Sequence, residues 1–285
     1  MLLNAHPRMS YFPTNSSVGA NLGIQRGTSV TSGSANAYGG WTQIHAGLTY
    51  PSLFCTVHLN AVETSGDVIA ATTLNAYFDI GIGPDVGNVM TIVEKLSGSQ
   101  AQGLGHVYWL PVTFPANTPI WARHQNTTAS AKGGIAVSWF GGTDSPGMFP
   151  TCSGIVALGA VTATTTGTSI GSVGNFGAEG SWTQIVSSTT QDYIGVMVSP
   201  LFNVDTSLTN GLFVTLDAGI GSAGNESVIG ENLCLSFIWS TSEQRDAVCF
   251  PTFCSVPEGS RLTARASSSG APDASNSVIM YGLIR

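Results

Sequence analysis

The chain has 285 residues, enough for two ordinary domains, and its 42% apolar content excludes a disordered polypeptide. Charged residues make up only 9%, against roughly a quarter in typical soluble domains, and lysine occurs only at Lys95 and Lys132, so the surface is weakly protected against association. The net charge of −7 divides as −1 over residues 1–150 and −6 over 151–285; neither half carries a basic nucleic-acid footprint, and the more neutral first half is expected to be docked while the second faces solvent.

Residues 1–20 contain Pro7 and Pro13 and no strand pattern, and read as an N-terminal arm that needs something to dock on. They lack the basic start, apolar core and small-residue cleavage site of a signal peptide, and no window approaches 18 consecutive apolar residues, so the expectation is cytoplasmic synthesis with no membrane partner. Residues 21–142 form a first repeat. It opens on Gly27-Thr28-Ser29-Val30 and Trp41-Thr42-Gln43-Ile44 and continues in alternating runs. Leu53, Cys55, Val57 and Leu59 alternate with Phe54, Thr56, His58 and Asn60; Leu74, Ala76, Phe78 and Ile80 alternate with Asn75, Tyr77 and Asp79. Residues 143–157, interrupted by Pro146, Gly147, Pro150 and Gly154, read as a linker.

Residues 158–285 repeat the first unit in order. Gly167-Thr168-Ser169-Ile170 and Trp182-Thr183-Gln184-Ile185 answer the opening, and Asp217-Ala218-Gly219-Ile220-Gly221 answers Asp79-Ile80-Gly81-Ile82-Gly83. Pro257 to Ala264-Arg265 answers Pro115 to Ala122-Arg123, and Val278 to Tyr281-Gly282 answers Val137 to Phe140-Gly141. A steady offset through the chain means two copies of one domain. Each copy, about 120 residues with turn clusters between short alternating runs, suits an antiparallel sandwich. The predicted fold is all-β: two tandem antiparallel jelly-roll-like β-sandwich domains with an N-terminal arm and few helices.

Two formal motifs fail on context. Gly219-Ile220-Gly221-Ser222-Ala223-Gly224 has dinucleotide-fingerprint spacing but no βαβ unit, and the first copy reads Gly81-Ile82-Gly83-Pro84. Gly167-Thr168-Ser169-Ile170-Gly171 has nucleophile-elbow spacing but only opens the second repeat, which contains no histidine to act as base. All five histidines (His6, His45, His58, His106, His124) lie in the first 124 residues without zinc-site spacing; one or two are expected at an inter-subunit surface. The cysteine count is odd, and Cys249 and Cys254 stand where the first copy has Val107 and Val112, so they read as small buried residues in a protein made under reducing conditions. No catalytic residue and no cofactor is expected.

Asp79, Asp85 and Asn88 in one copy and Asp217, Asn225 and Glu226 in the other make oxygen-rich loops, which leaves calcium as a weak candidate. The rival is structural: carboxylates at strand ends accept backbone N–H bonds from the following turn. Glu94 and Glu231 are expected to bridge to Arg123 and Arg265. Trp41 and Trp182, being duplicated, belong to the core or a sandwich edge. Trp109, Trp121, Trp139 and Trp239 have no tryptophan counterpart and, with Tyr38, Tyr50 and Tyr108, are the glycan-contact candidates.

The order Trp-Thr-Gln-Ile, Asp-x-Gly-Ile-Gly, Pro-x-x-x-x-Ile/Leu-x-Ala-Arg and a closing apolar strand resembles structural proteins of tailed bacteriophages built from jelly-roll-like sandwiches. The resemblance covers nearly the whole chain in its two copies and implies no catalytic residues. It implies a virion component made in the host cytoplasm, an accessory protein that decorates or clamps the capsid or forms part of the tail or fibres. Its partners would be itself, as a homo-oligomer such as a trimer, other virion proteins, and a host surface glycan. The alternatives are a double jelly-roll major capsid protein and a receptor- or carbohydrate-binding module.

Overall fold

The computed structural model describes residues 8–11, 27–63, 76–98, 106–141, 150–159, 161, 167–173, 178–202, 212–233, 236–240, 243–244, 248–268 and 276–285. Among these, the one helical element is a single 3₁₀ turn, Val86–Asn88, capped by Asp85. The first copy contains β1 (Arg8–Tyr11), β2 (Thr28–Thr31), β3 (Ala37–Tyr38), β4 (Thr42–His45), β5 (Ser52–Glu63), β6 (Ala76–Ile82), β7 (Met90–Ser97), β8 (His106–Leu110), β9 (Ile120–Asn126) and β10 (Lys132–Gly141). After β11 (Gly154–Leu158) the second contains β12 (Thr168–Ile170), β13 (Ser172–Val173), β14 (Thr183–Val186), β15 (Tyr193–Phe202), β16 (Leu212–Ile220), β17 (Ser227–Gly230), β18 (Ser236–Ser240), β19 (Glu243–Gln244), β20 (Val248–Cys249), β21 (Pro251–Val256), β22 (Leu262–Ser268) and β23 (Asn276–Ile284).

The protein is all-β, and its connectivity is a jelly roll repeated twice. In the first copy the sheets run β2-β10-β5-β8 and β4-β9-β6-β7; in the second they run β12-β23-β15-β21 and β14-β22-β16-β17. These are the two interleaved Greek keys of an eight-stranded jelly roll. Alternation sets the faces: Cys55, Val57 and Leu59 of β5 are buried while His58 is exposed, as period-two patterning requires.

The two copies are not separate sandwiches. The segment read as a linker contributes β11, which pairs antiparallel with β23 and parallel with β7 at Ile155↔Val93, fusing one sheet of each copy into a continuous ten-stranded sheet. Pro150 precedes this strand and Gly154 opens it without preventing it, because Ile155 and its neighbours are apolar and both edges are covered. The second copy also lends β20 to β8, in parallel register Val248↔Val107 and Cys249↔Tyr108, before the chain crosses into β21. Cys249 is buried at this crossing and Cys254 is half-buried. One apolar core runs through both copies.

Two further features depart from the sequence reading. Residues 8–11 of the arm form β1, which lies along β10 as β11 lies along β23. The closing strands correspond two residues away from the sequence match. Gly27 backs onto the Ile135 carbonyl and Gly167 onto that of Val278, so Ile135, not Val137, is the partner of Val278. A shift of two keeps every side chain on its face, which is why the apolar pattern could not reveal it.

Candidate functional site

The duplicated motif residues converge on one clamp in each copy. Asp79 sits directly opposite Arg123, and Asp217 opposite Arg265. The Arg123 Nε donates to Asp79 Oδ2 at 2.8 Å and the Arg265 Nε to Asp217 Oδ2 at 3.0 Å. The expected bridges to Glu94 and Glu231 are replaced by these, because register places the aspartates one strand away and directly across. The other aspartate oxygen accepts a backbone N–H, from Lys95 at 2.8 Å and from Asn232 at 2.9 Å. Both donors have φ of 52°, Lys95 in a β-bulge of β7 and Asn232 just beyond the end of β17, so a buried carboxylate pins a left-handed residue in each copy.

The tryptophans complete the clamp. Arg123 lies 4.6 Å from the Trp41 ring centroid and Arg265 lies 4.4 Å from that of Trp182. Each ring rests on the first glycine of Asp-x-Gly: a Cβ on Gly219 would come within 2.8 Å of Trp182, and one on Gly81 within 3.1 Å of Trp41. The copies differ at the position three residues before each tryptophan. In the first copy Tyr38 donates its hydroxyl to Asp79 at 2.9 Å and packs on Arg123; in the second, Glu179 pairs with Arg265. Burial, then the Asp79 carboxylate, push the Tyr38 phenol well above its ordinary value. The Glu179 carboxyl is raised, by desolvation first and then by Asp217.

These bonds also account for the calcium candidates. Asp79 and Asp217 are taken by arginine and backbone donors, Asp85 accepts from Gly87 N and Asn88 Nδ2, and Glu226 accepts from Arg261 at 2.8 Å and from Gly224 N. The Asn225 N–H closes a turn onto Ser222. Among the described residues no group of three or more His, Cys, Asp or Glu is placed to hold a metal ion.

Between the copies lies a buried polar joint that the sequence did not reveal. Ser97 Oγ is 2.6 Å from Tyr108 Oη, 3.0 Å from Ser199 Oγ and 3.2 Å from His106 Nδ1. Tyr281 accepts from the Ser97 N–H and donates to the Lys95 carbonyl at 3.0 Å. Burial lowers His106 to about 4, so it is a neutral hydrogen-bonding group there. Its seclusion suits a weld between copies, not a nucleophile–base pair open to substrate.

Of the glycan candidates, only Trp109 among the described side chains is exposed, at 37%. Trp121 is buried and donates to the Gly83 carbonyl, Trp139 is buried edge-on to Phe114, and Tyr50 and Tyr108 are buried. Tyr38 is held in the clamp, and the Trp239 side chain, like His6, lies outside the described residues.

Trp109 does not stand alone. Phe140, Phe54, Trp109 and Phe250, from β10, β5, β8 and the residue after β20, make a ribbon across the outer face of the first copy's sheet. Successive centroids are 5.4, 5.2 and 5.3 Å apart, with rings tilted 43–51°. Phe250 is 46% exposed. Around the ribbon lie Thr56, Ser138, Ala136, Val107 and the exposed His58; among these described residues there is no carboxylate, amide or guanidinium. Sequence reasoning found only Trp109, because its neighbours come from positions 54, 140 and 250 and share no spacing.

The fold is that of an all-β protein of the β-sandwich class. No protein-family profile matches the chain, and no curated protein matches it. Solved structures with a similar arrangement include PNGF-II (TM-score 0.35, 7% identity, covering 98% of this chain and 65% of that one). They also include PNGase F, a glycosylasparaginase from Flavobacterium meningosepticum (0.32, 10%, 98% and 96%), and the CBM22 tandem domain of Paenibacillus barcinonensis Xyn10C (0.27, 7%, 98% and 91%). The likeness is one of β-sandwich architecture.

Proposed function

We propose that this chain is a non-enzymatic structural protein of a virion, which works by holding other protein subunits against the aromatic face of its first copy. The ribbon Phe140–Phe54–Trp109–Phe250 carries the reading. It is aromatic and free of charged side chains, the composition that marks the centre of protein–protein interfaces. The scarcity of charge in the whole chain and the resemblance of its repeat motifs to phage structural proteins supply the setting.

Trp109 also supports a second reading, a carbohydrate-binding face. Against it, the rings tilt onto one another instead of offering an open plane, and the described side chains beside them, Thr56, Ser138, Ala136, Val107 and His58, bring no amide or carboxylate to satisfy sugar hydroxyls. Hydroxyl-radical footprinting across a protein concentration series separates the two. Trp109 and Phe250 should oxidise in dilute protein and become protected as subunits associate. Protection that follows added oligosaccharide instead, and is lost in Trp109→Ala, would give the glycan reading the lead.

A further inference from the structure

We infer that the occupant of this face is a second copy of the same chain, joined head to tail so that the internal junction between the two jelly rolls is repeated between subunits. The inference rests on the reading of the aromatic face as a protein interface and names its partner. Its basis is that the chain already contains one such junction. The face of the second copy equivalent to the ribbon carries Met197, Ser199, Tyr281 and Leu283, all fully buried. It is covered by the first copy, through Tyr108 and Ser97. In the first copy the corresponding positions, by pairing register, are Thr56, His58, Ser138 and Phe140; Thr56 and Ser138 are buried and Phe140 half-buried, but His58 is exposed, and Trp109 and Phe250 are exposed beside them.

The strand edges repeat the argument. In the internal junction β7 of the first copy pairs with β11, which lies along β23. The equivalent of β11 in the first copy is β1, and among the described residues β1 pairs only with β10. The equivalent of β7 in the second copy is β17, and among the described residues β17 pairs only with β16. Among the described residues, one chain therefore presents an unpaired acceptor edge beside its aromatic face and an unpaired donor edge at its other end, matched as β11 and β7 are matched. A contact between unlike ends is heterologous and propagates into a ring or a filament.

The test uses complementation. Val228→Lys places a charge on β17, and His58→Glu or Trp109→Glu places one on the face; His58 and Val228 are exposed, so the fold tolerates both changes. By sedimentation velocity the wild-type chain should exceed one chain mass and grow with concentration, and each variant alone should be monomeric. A mixture of Val228→Lys with His58→Glu should recover one interface and give a dimer, no larger. A wild-type chain that stays monomeric at every concentration overturns the inference. If the face variants stop assembly and Val228→Lys does not, the aromatic interface stands and the head-to-tail partner falls; if the face variants assemble normally, the reading of the face falls as well.

Discussion

The two copies share a clamp and differ in what covers them. Aspartate, arginine, tryptophan and glycine occupy the same places in both, down to the φ of 52° at Lys95 and Asn232. The outer face beside β5 and β10 bears exposed Trp109 and Phe250, whereas its counterpart beside β15 and β23 is buried against the first copy. Duplication thus preserved what folds the domain and left Trp109 and Phe250 exposed on the first copy. The histidines divide the copies too, since every histidine of the chain lies in the first.

That division gives the largest expected effect. His106 and His124 are both buried and lowered by desolvation to about 4, below the free value of 6.5. The unfolded chain therefore takes up these protons first, and stability present above pH 6.5 is lost as pH falls from about 6.5 to about 4. The loss is on the order of 3 kcal/mol for each histidine. Hydrogen exchange should show amides of the first copy losing protection before those of the second in this window. His124→Phe, which keeps the stack on Phe78 at 4.5 Å, should flatten the dependence.

The clamp comes next. Asp79→Ala leaves a half-buried Arg123 and the Lys95 N–H without their acceptor and should cost about 3 kcal/mol in denaturant unfolding. Asp217→Ala should cost less, because Glu179 still holds Arg265; equal losses would mean that the copy-specific residues Tyr38 and Glu179 contribute nothing. Trp41→Leu and Trp182→Leu should each cost about 1 kcal/mol through the lost guanidinium contact. Trp109→Ala should cost about 1 kcal/mol through the lost ring contacts with Phe54 and Phe250, while abolishing association.

Much of this fold was legible in the sequence, and the reason is local. Alternation in β5 and β6 gives strands, and repetition gives two jelly rolls, because period-two patterns and turn residues act within a few positions. The arginine partners were misassigned to Glu94 and Glu231 because register between β6 and β9 is a long-range property. The strand Gly154–Leu158 was hidden among glycine and proline, since it exists only where β7 and β23 meet on either side. The candidate site was the least legible part. A ribbon from three separate strands and the residue after a fourth has no sequence period, and only Trp109, with no tryptophan counterpart in the other copy, hinted at it.

The small strand Val248–Cys249 has a consequence for how the molecule is made. The sheet of the first jelly roll takes its last strand from residues near the end of the second, so it stands incomplete while the ribosome is still translating the chain. Its outermost strand, with Trp109 on one side and Tyr108 on the other, waits through more than a hundred further residues for a neighbour to close over it. A nascent chain of this design completes its first half only while its second is being completed, and a half cut free by a protease or expressed alone would lack both that strand and the cover of Tyr281 over the joint.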